Sequence, residues 1–414
     1  MHYIVIGLGF GDEGKGLTVA RLAESTNAEA VVRFSGGAQA GHNVRMKGVH
    51  HCFKQFGSGT MSGLPTYYAA AFDPFELVKE AQALAGKFTA SLSTFMSKFH
   101  VHPNAVLVTP VHVLASRNRS EVLNDHGTTG FGVGEAICQH DVHDARTAPL
   151  PFHPKGFVRD QMVLDAERMK HPVLVEAQHT RDPKDMKDRL LTLFKNYEAL
   201  GLVTESELRE LVGVEDDTDL FDWIAEQYFN IAHDINFSDE LPKGDLIWEG
   251  SQGILLDSRF GFPPHTAWSD LNYTGAVNVA ARKYNVNIAN DKTVIGVTRI
   301  YSTRHGHGPI FGEEFTTHDE WQWGLDVKVE DNTTNYYQGA FRSSTLSATA
   351  INRAVAAVAP DVIALTHCDV GVEGAAAGCV EYMAGFGRPL ALSVGPDVSD
   401  EEFDMKTVLS TLLK

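Results

Sequence analysis

Cysteine is scarce in this chain of 414 residues: only Cys52, Cys138, Cys368 and Cys379, with no C-x-x-C pair. That excludes a disulfide framework and fits a reducing compartment, where such residues are expected to be small buried hydrophobes. Long apolar runs are lacking too. None approaches the ~18 residues that a membrane-spanning helix needs. The opening MHYIVIGLGFGDEGKG passes from a short apolar run straight into charge, without the basic start and longer apolar stretch of a secretory signal. The chain therefore reads as cytoplasmic, with no membrane partner. Positive charge is in deficit, since 35 Lys and Arg face 53 Asp and Glu, a formal net charge of −18. Such a chain is poorly suited to phosphate backbones, so no nucleic-acid partner is expected. A single nucleotide in a local positive site stays compatible, because net charge governs solubility and long-range steering. Repeats, low-complexity tracts and Pro-, Gly- or Ser-rich linkers are absent, so residues 1–414 read as one domain with subregions.

What is present is an alternation. Tyr3–Ile6, Ala30–Phe34, Ala105–Val108, Val294–Val297 and Val362–Leu365 are short β-branched runs that read as strands. Near-continuous apolar strands suit a parallel sheet covered on both faces. Gly16–Ala23, Ala348–Val358 and Glu401–Leu413 read as helices, the last capped by Ser399 or Asp400. The fold class is therefore α/β, a large mainly parallel sheet with flanking helices. Residues from about 182 to 234 differ: they are charged and helix-prone, with helical spacing over Met186–Ala199 and a capping-box pattern at Thr204 and Glu207. They read as a helical insertion in which Glu215-Asp216-Asp217 is a solvated loop.

Four glycine-rich motifs carry the chemistry. Gly9-Phe10-Gly11-Asp12-Glu13-Gly14-Lys15-Gly16 follows the first strand and opens a helix. Glycines let backbone N–H groups face a phosphate, the helix N-terminus adds its dipole, and Lys15 adds a point charge. The spacing is P-loop-like, but Gly16 replaces the usual Ser or Thr, so Asp12 is the substitute for the hydroxyl that meets Mg²⁺. Gly36-Gly37-Ala38-Gln39-Ala40-Gly41-His42 follows the second strand and places His42 as an acid or hydrogen-bond donor. Gly127-Thr128-Thr129-Gly130-Phe131-Gly132-Val133-Gly134 suits phosphate or ribose contact. Trp248-Glu249-Gly250-Ser251-Gln252-Gly253 offers the Gln252 amide to a base edge.

In this order the motifs resemble the adenylosuccinate synthetase family. Tyr301–Pro309, Thr366-His367-Cys368-Asp369 and Val394-Gly395-Pro396-Asp397 resemble its later segments. The resemblance covers nearly the whole chain. It implies a ligase, a homodimer in purine biosynthesis that couples GTP cleavage to joining IMP and L-aspartate through a 6-phosphoryl intermediate. Asp12 would take the proton from purine N1 and, with the Gly41 carbonyl, hold Mg²⁺. His42 would neutralise charge on the leaving group. Gly11, Glu13, Gly14, Lys15 and Gly16 would cradle phosphates. Gln252 would bond the purine, and Gln39, Thr128, Thr129 and Thr266 would hold the nucleotide phosphate. Asp369 would read guanine, beside the Gly395-Pro396 turn. Thr333 and Thr334 would meet the amino acid.

The departures bear on the substrate. The resemblance places an arginine cluster after the Thr333-Thr334 pair, where this chain has Asn335-Tyr336-Tyr337-Gln338-Gly339. Arg304 or Arg342 could supply the missing charge. Phe131 replaces an arginine after Gly-Thr-Thr-Gly, and His367 replaces the lysine of the guanine motif. The arginine that a partner subunit would send to the nucleotide falls near His143, with Arg146 three residues on. A dicarboxylate would lose bidentate partners, whereas Tyr and Phe suit a less charged amine. A diverged ligase for another amine, a GMP- or dGMP-type acceptor, or ATP is the alternative. Phage relatives acting on (deoxy)GMP carry Ser at the position of Asp12, so the acid here favours IMP. His50-His51-Cys52, His140–His143 and His305-Gly306-His307 lack a full set of ligands at tight spacing, which weighs against a transition-metal protein. Retention of Asp12 and His42 weighs against a catalytically dead regulator.

Overall fold

The computed structural model describes residues 1–123, 129–137, 184–215, 217–267, 273–312, 314–315, 337–370 and 375–399. Contacts divide the chain into two compact units, one of residues 1–36, 40–67 and 240–414, the other of residues 37–39 and 68–239. The single-domain reading thus meets a chain whose helical insertion belongs to the second unit.

In the first unit, β1 (His2–Gly7) lies between strands Asp245–Gly253 and Lys292–Arg299, parallel to both. β2 (Ala28–Arg33) extends the sheet beyond Asp245–Gly253, and Val362–Thr366 and Leu390–Leu392 extend it on the other side, all parallel. Ile4, Val5 and Ile6 are fully buried. Helix α1 (Lys15–Ser25) covers one face, its Val19 and Leu22 packing with Val5, Val31, Ile247 and Ile295. Each such fully buried Val, Leu or Ile contributes about 1.5–3 kcal/mol. Two antiparallel elements flank the sheet sequence. They are the hairpin β3 (His42–Met46) and β4 (Val49–Phe53), and a small sheet of Tyr301–His305, Phe341–Thr345 and Glu314–Phe315. Cys52 on β4 is exposed, unlike the expected buried thiol.

The second unit is mainly helical. Helices Lys184–Ala199, Glu205–Val212 and Leu220–Asp234 occupy the span read as helix-prone. Thr204 Oγ1 accepts from the Glu207 amide at 3.3 Å, as an N-cap does, and donates to Glu207 Oε2 at 2.6 Å, a side-chain pairing in place of the reciprocal backbone bond of a capping box. The apolar run 105–108 forms only a bridge between Phe72 and Leu107. Pro110 starts the helix Pro110–Leu123 just beyond it, leaving no length for a strand. The expected helix Ala348–Val358 of the first unit is present with those bounds, capped by Ser347. Glu401–Leu413 lies outside the described residues.

Candidate active site

The site gathers at the carboxyl ends of the parallel strands of the first unit, where α/β sheets bind ligands. After β1 the backbone turns through three left-handed residues, Gly11 (φ 105°), Asp12 (φ 63°) and Gly14 (φ 91°). Aspartate tolerates this region because its side chain is short and polar. The loop closes on Glu13. Its Oε1 accepts from the amides of Gly9 at 3.0 Å and Gly11 at 2.8 Å, and its Oε2 lies 2.5 Å from Lys15 Nζ. Glu13 and Lys15 are both buried. A Cβ at Gly7 would stand 2.3 Å from Glu13 Oε2 and would displace that carboxylate, and one at Gly253 would lie 2.1 Å from Oε1 and 2.2 Å from the Gly9 carbonyl, so glycine is required at Gly253. Amides and an ammonium suited to phosphate are thus directed onto a carboxylate of the same loop.

His42 begins β3 against α1, where a Cβ on Gly16 would come within 2.8 Å of it. Its Nδ1 lies 2.5 Å from Glu249 Oε1, and its Nε2 lies 3.0 Å from the Ser251 carbonyl. Glu249 is in regular register opposite Val5, and Ser251 falls in a bulge, since Gly7 pairs with Gly253. Glu249 also accepts from the Ser58 amide at 2.9 Å and the Ser58 hydroxyl at 2.5 Å, and Arg33 Nη1 lies 3.2 Å away. Arg33 and Glu249 are both 0% exposed. Burial alone would raise the Glu249 carboxyl, but Arg33, His42 and Ser58 together pull it down to about 2. Burial, and then Arg33, push His42 below its ordinary 6.5, against the pull of Glu249. Arg33 Nη1 lies 2.8 Å from the same Nδ1, so a neutral ring can accept from Arg33 there while donating from Nε2 to the Ser251 carbonyl, and with the Glu249 carboxylate alongside it can gain charge when a negative group develops nearby. Sequence reasoning passed over Arg33 and Ser58 and gave Glu249 no role, because pairing between strands distant in the chain, with Arg33 opposite Glu249, brings them to His42.

Asp12 is held at two points. Arg299 donates from Nε to its carbonyl and from Nη1 to the Tyr301 hydroxyl at 2.6 Å. His305 Nε2 lies 3.2 Å from Asp12 Oδ2. Burial would raise this carboxyl, but the His305 hydrogen bond and the charges of Arg299, His305 and Lys15 hold it below its ordinary value. An ionised Asp12 and the Gly41 carbonyl are hard oxygen donors. Mg²⁺ commonly takes one or two carboxylates plus substrate phosphates, so the residues present fit it. Among the described residues no cluster of three or more His, Cys, Asp or Glu forms a closed metal cage.

The other expected residues divide. Gln252 stands half-buried at the strand end beside Gly253, and the Leu255 amide bonds Gly9 O at 2.9 Å, which ties that strand end to the loop. Thr266 follows His265, whose carbonyl accepts from Arg304 Nη2 at 2.9 Å. Arg304 also donates to His307 O at 3.2 Å and Pro309 O at 2.7 Å and stacks 4.3 Å over Phe10. Arg342 donates to the Gly306 and Gly308 carbonyls. Both arginines brace the 304–309 turn, a task the sequence reading did not give them. Burial, then Arg342, push Arg304 down to about 10. Asp369 is exposed in the turn after Val362–Thr366, and Cys368 N bonds Ser393 O at 3.0 Å, two residues before Gly395-Pro396. Gln39 and Thr129 belong to the second unit. There the buried Gln39 Oε1 has no hydrogen-bond partner, and a reversed amide would present N–H instead, the donor a phosphate needs. Phe131 packs against a cluster of Ala71, Val108, Val113, Val133 and Ala136. Thr128, His143, Arg146, Thr333 and Thr334 lie outside the described residues.

One pH effect follows. Burial, then Arg299, push His367 well below 6.5, against a smaller pull from Asp12. His42 shifts the same way. In both, the unfolded chain binds the proton more readily, so their stabilisation is complete above pH 6.5 and is lost as pH falls towards the folded values. Asp73, raised to about 7 chiefly by burial, acts in the opposite direction over its own range. The melting temperature should fall from pH 7 to pH 5, and less steeply in His367→Asn, a residue that tolerates the φ of 60° found there. Equal slopes would show that His367 titrates alike in both states.

The adenylosuccinate synthetase family profile matches residues 4–385. The adenylosuccinate synthetase of Neisseria gonorrhoeae is 27% identical over 411 residues, 96% of this chain and 84% of that protein. That of Methylibium petroleiphilum is 29% identical over 325 residues, 75% of this chain and 63% of its own length. Two solved structures share the fold. Fully ligated adenylosuccinate synthetase from Plasmodium falciparum has a TM-score of 0.65 at 15% identity, covering 96% of this chain and 98% of that one. Cyanophage S-2L succinoaminodeoxyadenylate synthetase (PurZ), bound to dGMP and dATP as an energy donor, has a TM-score of 0.59 at 19% identity, covering 99% and 97%. With its family profile matched across residues 4–385, this chain belongs to the adenylosuccinate synthetase family, whose members are ligases that form C–N bonds.

Proposed function

We propose that this chain is a cytoplasmic homodimeric ligase that condenses IMP with L-aspartate at the expense of GTP, giving adenylosuccinate, GDP and phosphate. The observation that carries it is the meeting of Asp12, the Gly9–Gly16 loop and His42 at the strand ends. Asp12, an ionised carboxylate, takes the proton from purine N1, so that the 6-oxygen gains electron density and attacks the γ-phosphorus. Lys15 and the loop amides bind phosphate oxygens. His42 donates toward the oxygen of the leaving diphosphate as charge develops. The amine of aspartate then displaces the phosphate from C6. Asp12 and the Gly41 carbonyl would hold Mg²⁺, which would supply charge neutralisation for the phosphates. Gln252 bonds the base. Gln39, Thr128, Thr129 and Thr266 hold the nucleotide phosphate, with His143 or Arg146 reaching from a partner subunit. Asp369, beside Gly395 and Pro396, accepts from guanine N1 and N2. Thr333 and Thr334 receive the amino acid.

A second reading has its own support. Arg304 and Arg342 already serve main-chain carbonyls, and Phe131 packs among aliphatic side chains where the resemblance puts an arginine. A dicarboxylate would have few bidentate partners among them. A ligase of the same chemistry for another amine, for a GMP- or dGMP-type acceptor, or with ATP fits those facts. The PurZ structure, bound to dGMP and dATP, is a fold-level precedent.

Phosphate release from GTP with IMP and Mg²⁺, with and without aspartate and with products identified by mass, separates the two. Release that requires aspartate and yields the succinyl nucleotide supports the first. Absence of product sinks it and directs the assay to uncharged amines, GMP-type acceptors and ATP. In the same assay His42→Asn should lower kcat by about 10²–10⁴-fold, the range for a positioned acid, with little change in nucleotide KM. Equal loss of binding and rate would make His42 structural.

A further inference from the structure

A single aspartate on a flexible loop is a poor base, because its carboxylate can rotate and either oxygen can face the ligand. Here the main chain of Asp12 is fixed in the left-handed region, with Arg299 donating to its carbonyl. That leaves the side-chain torsions. His305 Nε2, 3.2 Å from Oδ2, is positioned to stop them. Among the described residues no donor meets Oδ1.

His305 is itself held rigidly. It ends the strand Tyr301–His305 in register with Phe341, and its ring packs against the Phe341 ring with centroids 4.9 Å apart. The next residue, Gly306, turns at φ 68° and bonds Ala340 O at 2.8 Å; a Cβ there would fall 2.3 Å from Gln338 O. Arg304, the preceding residue, is locked by three carbonyls. The His305 Nδ1 is buried with no hydrogen-bond partner, so the protein's own bond to this ring is the one from Nε2 to Asp12. A half-buried ring on a braced strand, its Nδ1 buried without a partner and its Nε2 bonded to one carboxylate, is costly unless that carboxylate's orientation matters.

We propose that His305 is a positioning residue for Asp12: its Nε2–H holds Oδ2 and so presents Oδ1 to the purine N1–H. This rests on the reading of Asp12 as the base. It gives a task to a histidine that the sequence showed only as part of a His-Gly-His turn.

The test uses the full chain, with His305→Leu, His305→Gln and the control Asp12→Asn. His305→Leu removes the donor and keeps an apolar side chain against Phe341. His305→Gln restores an N–H near the Nε2 position. In GTP-dependent phosphate release, His305→Leu is expected to lower kcat about 10–100-fold, the usual effect of losing a supporting hydrogen bond, with nucleotide KM changed less than about threefold. His305→Gln should recover most of that loss. Equal falls in the two variants, or an unchanged kcat in His305→Leu, overturn the proposal. A crystal structure of His305→Leu decides independently of turnover: a carboxylate rotated away from its wild-type place supports the positioning role, and an unmoved one refutes it. Normal turnover by Asp12→Asn would instead remove the base assignment, while the carboxylate's rotation would still report on His305.

Discussion

Glu249→Ala is expected to cost about 3–5 kcal/mol of stability, the usual range for removing one partner of a buried ion pair. Arg33 and Glu249 are both 0% exposed, so water cannot compensate the guanidinium once the carboxylate is gone. Arg33 would keep only its bond to Lys54 O, at 2.9 Å, and its contact with His42. The Ser58 amide and hydroxyl would lose their acceptor as well. His42 would lose the carboxylate that favours its charged form, so catalysis should fall further than folding alone explains. Chemical denaturation of wild type and variant measures the first effect. A loss below about 1 kcal/mol, the scale of an exposed pair, would mean that Arg33 finds another partner. The double variant Arg33→Met with Glu249→Leu offers a check, since replacing both charges of a buried pair by apolar groups often restores stability.

Asp12→Asn should abolish formation of the phosphorylated nucleotide, with kcat down about 10²–10⁴-fold, the contribution of a positioned base. Asparagine is the informative substitution because it tolerates the φ of 63° as aspartate does, whereas alanine would add backbone strain. The amide still accepts from His305 Nε2 but cannot accept a proton, so shape and basicity are separated. Trapping the 6-phosphoryl species by rapid quench gives the direct readout. Ordinary turnover by this variant would end the assignment of Asp12 as base. A rise in KM at constant kcat would leave it a role in binding alone.

The strand–loop–helix opening was legible in the sequence because its physics is local. Glycines at positions 9, 11 and 14, a helix start and a lysine form one contiguous signature. Ala348–Val358 was legible for the same reason, through helical spacing and a serine cap. The apolar run at 105–108 misled, since a β-branched stretch before Pro110 looks like a strand when only Phe72 pairs with it. Glu249 was quoted in its motif but not tied to His42, because that contact depends on the pairing of strands far apart in the chain. Arg299 and Arg33 carried no signal, being single charged residues at the ends of apolar strands. The arginines at 304 and 342 were seen as charges, and their carbonyl partners are tertiary facts.

The nest of Glu13 changes what nucleotide binding must achieve. A loop of amides without an anion would repel itself and stay open to water, and closing it would draw on the ligand's own binding energy. Here the carboxylate at position 13, seated among Gly7, Gly9 and Gly253, has settled that entropy during folding. An arriving phosphate meets a loop already shaped by an anion. Its task is to share or take over those partners while the Glu13 carboxylate remains in the loop.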